Sequence, residues 1–284
     1  MGYRLYSCMP IFYYREMLLE RSMTLFDWIE IASTLPITGT ELHHRILPSY
    51  QPHDIARVRS VLEKKQLRVS QVTTTPDFTH PDPDYRKAEL RQTMATLDAA
   101  SSLGASCLRV TAGQRYPEVG RRVGIGWVVD NFQRLVEHAM KKGVFLAYEN
   151  HNTGFFAKHP DFSQHADVFL DIVDEMRGSG LRINYDTGNH VVIGEDPLTV
   201  LEAVADLVVH VHCSDRIRAF DNTHAAAGEG IVDFPRIFHT LDAAGFRGWL
   251  SVEYNGTEGL DGLKRALAHV RRTWEEISSG DSEN

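Results

Sequence analysis

Four residues of metal-ligating type stand where short apolar runs end in the second half of the chain. They are Glu149, Asp186, His212 and Glu253, within VFLAYEN, LRINYDTGN, LVVHVHCSD and WLSVEYNG. A single acidic residue in such a place is ordinarily a helix cap or a solvated charge. Three carboxylates gathered at the rim of an apolar core without a cation would cost on the order of several kcal/mol. The four residues together therefore predict a metal site.

The residue types also predict which ion would bind and what chemistry it would serve. Three carboxylates and one imidazole form a hard, oxygen-rich site that suits Mn2+, Mg2+ or Co2+. A six-coordinate ion would keep two neighbouring positions for the oxygens of a hydroxy-carbonyl compound. It would stabilise the enediolate that forms when a proton leaves the carbon next to a carbonyl. One carboxylate can remove that proton and a second can return it, to the neighbouring carbon in an isomerase or to the opposite face in an epimerase.

The elements that must position these residues follow from an alternation of short apolar runs and helical periodicity along the whole chain. This alternation predicts a parallel sheet with crossover helices. Eight strand candidates favour a single closed (β/α)8 barrel, in which the carboxyl ends of all strands surround one mouth. No glycine-rich dinucleotide turn follows a strand, so no nucleotide cofactor is expected. The strand candidates are Tyr3–Met9, Gly39–His43, Arg68–Thr73, Cys107–Thr111, Val144–Glu149, Leu181–Asp186, Leu207–His212 and Trp249–Tyr254.

Bulk composition sets the domain count and excludes some partners. We expect one barrel domain over residues 1–277 and a disordered tail over 278–284 (SSGDSEN). The net charge of −8 argues against a nucleic-acid partner, because neutralising phosphates requires a basic face. No apolar run is long enough for a membrane span, and the first residues lack a signal-peptide pattern. Three cysteines, far apart and in apolar segments, indicate reduced thiols, so a cytoplasmic protein acting on a small molecule is expected.

Several motifs resemble those of the xylose isomerase-like barrel superfamily, in particular its sugar isomerase/epimerase branch. They are YENH, YDTGNH, HVHCSD, HAAAGEGIVDF and SVEYNG, and the resemblance covers about residues 145–254. It implies one divalent cation, most often manganese, on the four residues named above. It also implies that Glu149 and Glu253 act as acid and base on opposite faces of a small polyhydroxylated carbonyl substrate. Barrels of this branch often form dimers or tetramers, so a homo-oligomer is expected.

The resemblance further implies substrate contacts, with two departures. Arg218, six residues after His212, matches a substrate-binding arginine of ketose 3-epimerases, and Asp215 matches an acidic residue of those enzymes. Asn189 stands where they carry a substrate-binding histidine, and Phe155 stands where they carry a glutamate. Both departures count against a simple ketose 3-epimerase. Three histidines near the predicted mouth are also candidate substrate contacts: His151, His190 and His224. For residues ending the second and fourth strands, structural and functional roles are equally favoured: Glu41, His43, Arg109 and Thr111.

The site is compatible with four functions. The first is a metal-dependent isomerase or epimerase acting on an unphosphorylated sugar or sugar acid. The alternative keeps the site but loses a β-hydroxyl after proton removal, as in a dehydratase of the keto-inositol or dehydroshikimate type. A DNA-repair endonuclease of the same superfamily would need further metal ligands and a basic groove, and the net charge of −8 counts against it. The presence of both carboxylate bases counts against a non-catalytic binding protein.

Overall fold

The short apolar runs fold into strands, eight of which hydrogen-bond side by side in parallel to form one barrel. The structure is a computed structural model that describes residues 5–155 and 157–280. The strands are β1 Leu5–Cys8, β2 Gly39–His43, β3 Arg68–Thr73, β4 Cys107–Val110, β5 Phe145–Glu149, β6 Arg182–Asp186, β7 Val208–Cys213, β8 Asp215–Arg216, β9 His224–Ala225 and β10 Trp249–Val252. The barrel order is β1-β10-β7-β6-β5-β4-β3-β2, and β8 with β9 forms a separate antiparallel hairpin. The Thr38 N–H donates to the Tyr6 carbonyl at 3.0 Å, which links the β1 and β2 sides of the barrel.

Helices on the outside of the barrel connect successive strands. Their starts follow the expected chemistry: the Asp196 carboxylate accepts the Leu198 N–H at 3.0 Å, and Pro197 occupies the first turn of its helix. None of the helices in the described ranges is long and apolar enough to span a membrane. The helices are α1 Leu25–Ala32, α2 Pro52–Lys64, α3 Pro83–Leu103, α4 Arg121–Lys142, α5 Ala166–Met176, α6 Pro197–Val204, α7 Phe234–Ala243 and α8 Gly259–Gly280.

All eight predicted strands are confirmed, with ends that differ by at most two residues where both ends are described. The first predicted strand began at Tyr3, which lies outside the described residues. The predicted tail needs a correction at its start, because α8 continues through Gly280. Its last buried residue is Ile277, 9% exposed, and the helix runs three residues beyond that contact. Residues 281–284 lie outside the described part of the chain.

Helix α1 is an element that the periodicity did not reveal. The segment LFDWIEIA is apolar on most sides, and it buries Leu25, Trp28 and Ile29. A local signature does mark its start, because the Thr24 hydroxyl accepts the Asp27 N–H at 3.2 Å while the Asp27 carboxylate accepts the Thr24 N–H at 2.8 Å. This reciprocal pair is a capping box, which fixes where the helix begins.

The interior of the barrel below the mouth is polar. Five side chains that point into it are completely buried, and each hydrogen-bonds another member of the set. They are Glu41, Gln71, Asn184, His210 and His212. The three cysteines are buried free thiols, as the sequence predicts. The polar interior places a network of hydrogen-bonding groups directly under the candidate metal ligands.

Candidate metal centre

The four predicted ligands meet at the mouth of the barrel. Glu149 and Asp186 are the last residues of β5 and β6, His212 is the penultimate residue of β7, and Glu253 follows β10. Nδ1 of His212 lies 2.6 Å from Glu149 Oε1, 3.0 Å from Glu253 Oε2 and 3.9 Å from Asp186 Oδ2. One candidate ligand atom from each residue lies within 4.8 Å of all the others. The fold therefore brings all four together, and their oxygen and nitrogen atoms form a group that can hold a divalent ion.

Two buried carboxylate oxygens show that the group is arranged for a cation. Oδ1 of Asp186 accepts hydrogen bonds from Gly188 N at 2.8 Å, Asn189 N at 2.7 Å and Ser214 Oγ at 2.9 Å. Its other oxygen, Oδ2, is buried and has no hydrogen-bond partner among the described residues, and the same holds for Oε2 of Glu149. Buried polar atoms of this kind are rare in proteins unless an ion or a water molecule contacts them. The donor set and the unpartnered Oδ2 of Asp186 therefore fit a hard divalent cation.

Without a cation, the three carboxylates of the centre repel one another. Burial and the neighbouring carboxylate of Glu253 raise the pKa of Asp186 to about 6. Burial lowers the pKa of His212, but the charges of Glu41 and Glu149 outweigh it and raise that pKa well above its ordinary value. Protons thus compensate part of the negative charge. A cation must displace these protons, so its affinity is expected to fall with decreasing pH.

A buried carboxylate fixes the orientation of the histidine ligand. Oε2 of Glu41 lies 3.0 Å from Nε2 of His212 and accepts a hydrogen bond from Nε2 of Gln71 at 3.1 Å. Burial would raise the pKa of Glu41, but the charges of His212 and His210 outweigh it and hold the pKa at about 2. An ionised Glu41 favours the proton of His212 on Nε2. In that tautomer the Nδ1 lone pair would face the other three ligands, whereas the raised pKa of His212 keeps a second proton on Nδ1 when no cation is bound.

Asn184 connects this network to a second ligand. Its Nδ2 donates to Oε1 of Glu149 at 2.9 Å, and its Oδ1 lies 2.8 Å from Nδ1 of His210. Arg109 approaches Glu149 from the cavity side, with Nε 3.3 Å from Oε2. Burial would raise the pKa of Glu149, but Arg109 and His212 outweigh it and lower that pKa. Glu149 is therefore held as an anion by groups on two sides.

A cavity of about 250 Å³ opens above the centre and reaches two of the ligands, Glu149 and Glu253. Its walls come from the loops that follow the barrel strands, and two guanidinium groups, Arg109 and Arg216, face it. Phe155 forms an apolar part of the wall, and its ring meets that of Tyr14 edge-on at 6.4 Å. The cavity is thus polar at its floor and partly apolar at its rim. A concave site with a few convergent polar groups is typical of small-molecule binding.

Three of the predicted substrate contacts line this cavity: His151, Asn189 and His224. Burial and the charge of Arg216 lower the pKa of His224 to about 4, so its imidazole is neutral at pH 7. Burial opposes protonation of His151, but Asp161 and Glu149 outweigh it and raise its pKa. These side chains can therefore offer a neutral acceptor and a proton donor to a bound molecule.

Two further predicted contacts lie away from the cavity. His190 is 1% exposed and does not line the cavity, and its Nδ1 lies 3.1 Å from Nδ2 of Asn150. Asp215 is also buried, and its carboxylate accepts the N–H groups of the turn before α7. The distances are 2.9 Å to Gly228 N, 2.9 Å to Gly230 N and 3.0 Å to Val232 N. The structure therefore places Asp215 as a support of neighbouring backbone and His190 against the side chain of Asn150.

The structure places the predicted arginine, Arg218, outside the cavity. The side chain of Arg218 is 74% exposed, pairs with Asp221 at 2.9 Å and does not line the cavity. Arg216 lines it instead and is 1% exposed. The cause is the β8–β9 hairpin, which pairs Arg216 with His224 beside the cavity and leaves Arg218 in the exposed connection between the two strands. Counting positions after His212 could not detect that the chain reverses direction here, although the turn-forming Asp221-Asn222 pair indicates a turn.

The fold and the centre together define a parallel (β/α)8 barrel with a candidate divalent-metal site at its mouth. The sequence model of the family described as xylose isomerase-like TIM barrel matches residues 26–273. The chain therefore belongs to that family, and the superfamily implied by the motifs is confirmed.

Individual known proteins show more limited likeness. The inosose dehydratase of Geobacillus thermodenitrificans strain NG80-2 is 32% identical over 143 residues, which cover 44% of this chain and 45% of that relative. The chain thus matches somewhat less than half the length of this curated relative. A D-tagatose 3-epimerase-like protein superposes with a TM-score of 0.79 at 16% identity, over 97% of this chain and 99% of that structure. The 3-keto-D-glucoside 4-epimerase of E. coli gives 0.75 at 18% identity, over 95% and 100%. At these identities the solved structures are evidence for the fold alone.

Proposed function

We propose that this protein is a metal-dependent enzyme that removes the proton next to the carbonyl of a polyhydroxylated cyclic ketone and then eliminates water. The observation that carries the proposal is the double position of Glu149 and Glu253. Both belong to the candidate metal group and both line the cavity. Carboxylates in this position can contact a bound cation and a substrate proton together. The enzyme class is supported further by the inosose dehydratases among the curated relatives.

The described residues divide the work as follows. Glu253 is the base, because its side chain is 15% exposed and faces the cavity, whereas the other three ligands are at most 1% exposed. Arg109 and Arg216 hold substrate oxygens from the cavity wall. His151 donates a proton to the departing hydroxyl, and Asp161 orients its ring from 3.5 Å. When bound, a divalent cation, which we propose to be Mn2+, would supply Lewis-acid stabilisation of the negative charge on the substrate oxygens.

A second candidate function is isomerisation or epimerisation of a sugar by the same proton removal. Two carboxylates on one cavity favour it, because the second can return a proton instead of allowing a hydroxyl to leave. The two functions share the base and the metal centre. They differ in whether the substrate carries a β-hydroxyl that His151 can protonate.

A labelling experiment separates these functions. The protein is loaded with Mn2+ and incubated in D2O with a panel of keto-inositols and ketohexoses, and products are followed by NMR and mass spectrometry. Deuterium next to the carbonyl with loss of water supports the dehydratase. Deuterium with a new epimer or aldose, and no loss of water, replaces it with the second candidate. Absence of exchange across the panel contradicts proton removal.

Variants connect the result to particular residues. Glu253→Gln is expected to lower the exchange rate by about 100-fold or more, as for loss of a general base. Arg216→Met is expected to raise KM, whereas Arg218→Met serves as the matched control because its side chain is exposed and outside the cavity. Equal effects of the two arginine substitutions would remove Arg216 from the substrate-binding role.

A further inference from the structure

A second, smaller cavity lies beside the metal cavity at the mouth of the barrel. Its volume is about 130 Å³, and we call it the side chamber. The two cavities share Thr75, His151 and Gly154 in their walls. Gly154 contributes no side chain at this shared edge. The residues that define the side chamber come from loops after β2 to β5 and from the start of α3: Arg45, Asp77, Tyr85, Glu89, Gln114 and Asp161.

The floor of the side chamber is held rigidly. Asp77 is 5% exposed, and its carboxylate accepts hydrogen bonds from Gln114 N at 3.0 Å, Gln114 Nε2 at 2.9 Å and the Tyr116 hydroxyl at 2.7 Å. Asp161 is 4% exposed and accepts from Ser163 N at 2.8 Å and Ser163 Oγ at 2.7 Å. The contacts of Asp77 join loops that are 37 to 39 residues apart in sequence, whereas those of Asp161 are local. The chamber is therefore a preformed part of the fold rather than a gap between loose loops.

The chemistry of the chamber favours a ligand rich in hydroxyl groups. Three carboxylates, on Asp77, Glu89 and Asp161, line it together with one arginine, Arg45. This balance opposes a phosphate or carboxylate and suits groups that donate hydrogen bonds. Tyr85 adds an aromatic surface that is 44% exposed and is stacked on the ring of His80 at 4.1 Å. Carboxylate acceptors beside an exposed ring match a sugar ring, with polar edges and an apolar face.

His151 lies in the wall that the two cavities share. Its Nδ1 lies 3.5 Å from Oδ2 of Asp161, a residue of the chamber, and it is two positions from Glu149 of the centre. The side chamber and the metal cavity are therefore adjacent, because they have wall residues in common. A molecule made of two linked rings can occupy two adjacent cavities.

We propose that the natural substrate is a keto-glycoside: the oxidised ring lies over the metal centre, and a second sugar unit occupies the side chamber. This rests on the proposed function for the placement of the ketone. It adds a substrate class, because a free keto-inositol or ketohexose would leave the chamber to solvent. It also accounts for the acidic lining, which a phosphorylated sugar would not explain.

Calorimetry on the Mn2+-loaded protein tests the proposal by comparing a keto-disaccharide with the matching methyl keto-glycoside. The keto-disaccharide is expected to bind about tenfold or more tightly, which corresponds to a few added contacts. Tyr85→Ala and Glu89→Gln are expected to bring the ratio of the two affinities close to one. Glu137→Gln makes the same charge change at an exposed position of α4, and it should leave the ratio unaltered. Thermal unfolding checks that each variant is folded.

The outcomes separate this proposal from the proposed function. Equal affinities in the wild type, or a preference that survives both chamber variants, would overturn the keto-glycoside class. If deuterium exchange on the methyl keto-glycoside is still seen in that case, proton removal stands without the chamber. If the disaccharide binds more tightly through Tyr85 and Glu89 but no ketone exchanges deuterium, the chamber stands and the proposed chemistry fails.

Discussion

A buried carboxylate beneath the metal centre controls one ligand. Glu41 is completely buried and contacts His212 on the nitrogen that faces away from the other three ligands. Glu41→Gln removes the charge that favours a proton on Nε2 of His212. We expect it to weaken Mn2+ binding by about 10- to 100-fold, as for other residues that orient a ligating histidine. Titration calorimetry measures this affinity.

The matched control for this substitution is Glu63→Gln, which removes an exposed carboxylate on α2. It should leave Mn2+ affinity within about twofold, because exposed ion pairs contribute little and lie far from the centre. Unchanged affinity in folded Glu41→Gln would show that His212 is oriented without Glu41.

At this scale the metal ligands could be predicted because each ends a strand, and the barrel brings strand ends together. The role of Glu41 could not be decided from the sequence, since the same strand position suits a mouth residue or a buried support. The register of β2 against β3 decides it, and the structure shows a shift between Thr40 and Glu41. The buried position of Glu41 therefore depends on an irregularity in strand pairing, which the alternation of residues along the strand does not reveal.

The β8–β9 hairpin and the turn before α7 are tied together by one side chain, Asp215. Its two oxygens accept four backbone N–H groups, including that of Arg216 at 2.9 Å. Asp215→Ala leaves these N–H groups without their acceptor. We expect a loss of about 2–4 kcal/mol in the free energy of unfolding, measured by urea denaturation, because several buried groups lose a charged partner.

Asp221→Ala is the control for this element, since Asp221 caps the exposed turn of the same hairpin and pairs with Arg218. It should lower the free energy of unfolding far less than Asp215→Ala does, because an exposed ion pair contributes little. A small loss of stability in Asp215→Ala, equal to that of the control, would contradict the tying role.

The hairpin also determines which arginine lines the cavity, and this differs from the prediction. Strands of two residues are too short to show a periodicity, so the sequence does not reveal the hairpin. For this reason Arg218 was expected near the substrate, whereas Arg216 is the arginine in the cavity wall. The barrel strands were predictable because their apolar runs of four to six residues are bounded by turns. Short excursions at the mouth are fixed by side-chain contacts such as those of Asp215, which the chain order does not show.

The stability of the whole molecule is coupled to the centre through Asp186. Its folded-state pKa is raised to about 6 from an ordinary value of 3.8. In the metal-free protein its contribution to stability is therefore present below about pH 4 and is lost as the pH rises through about 6. Asp186→Asn removes this penalty while its carbonyl oxygen keeps the hydrogen bonds to Gly188 and Asn189.

We expect metal-free Asp186→Asn to melt about 3–8 °C above metal-free wild type at pH 7. Mn2+ at about 100 times its Kd should raise the melting temperature of the wild type by about 5–10 °C and leave that of the variant nearly unchanged. Differential scanning calorimetry at pH 5 and pH 7 measures both. A variant that melts below the metal-free wild type would contradict the charge repulsion at the centre.

Assembly of the whole molecule into dimers or tetramers stays a prediction.

The central claim is that Glu149, Asp186, His212 and Glu253 hold one divalent cation. Anomalous diffraction from crystals grown with Mn2+, recorded on both sides of the manganese absorption edge, tests it most directly. The account predicts one strong anomalous peak per chain, bounded by these four side chains and open toward the cavity. A peak elsewhere with none at these residues, or no peak in the presence of saturating Mn2+, would contradict it.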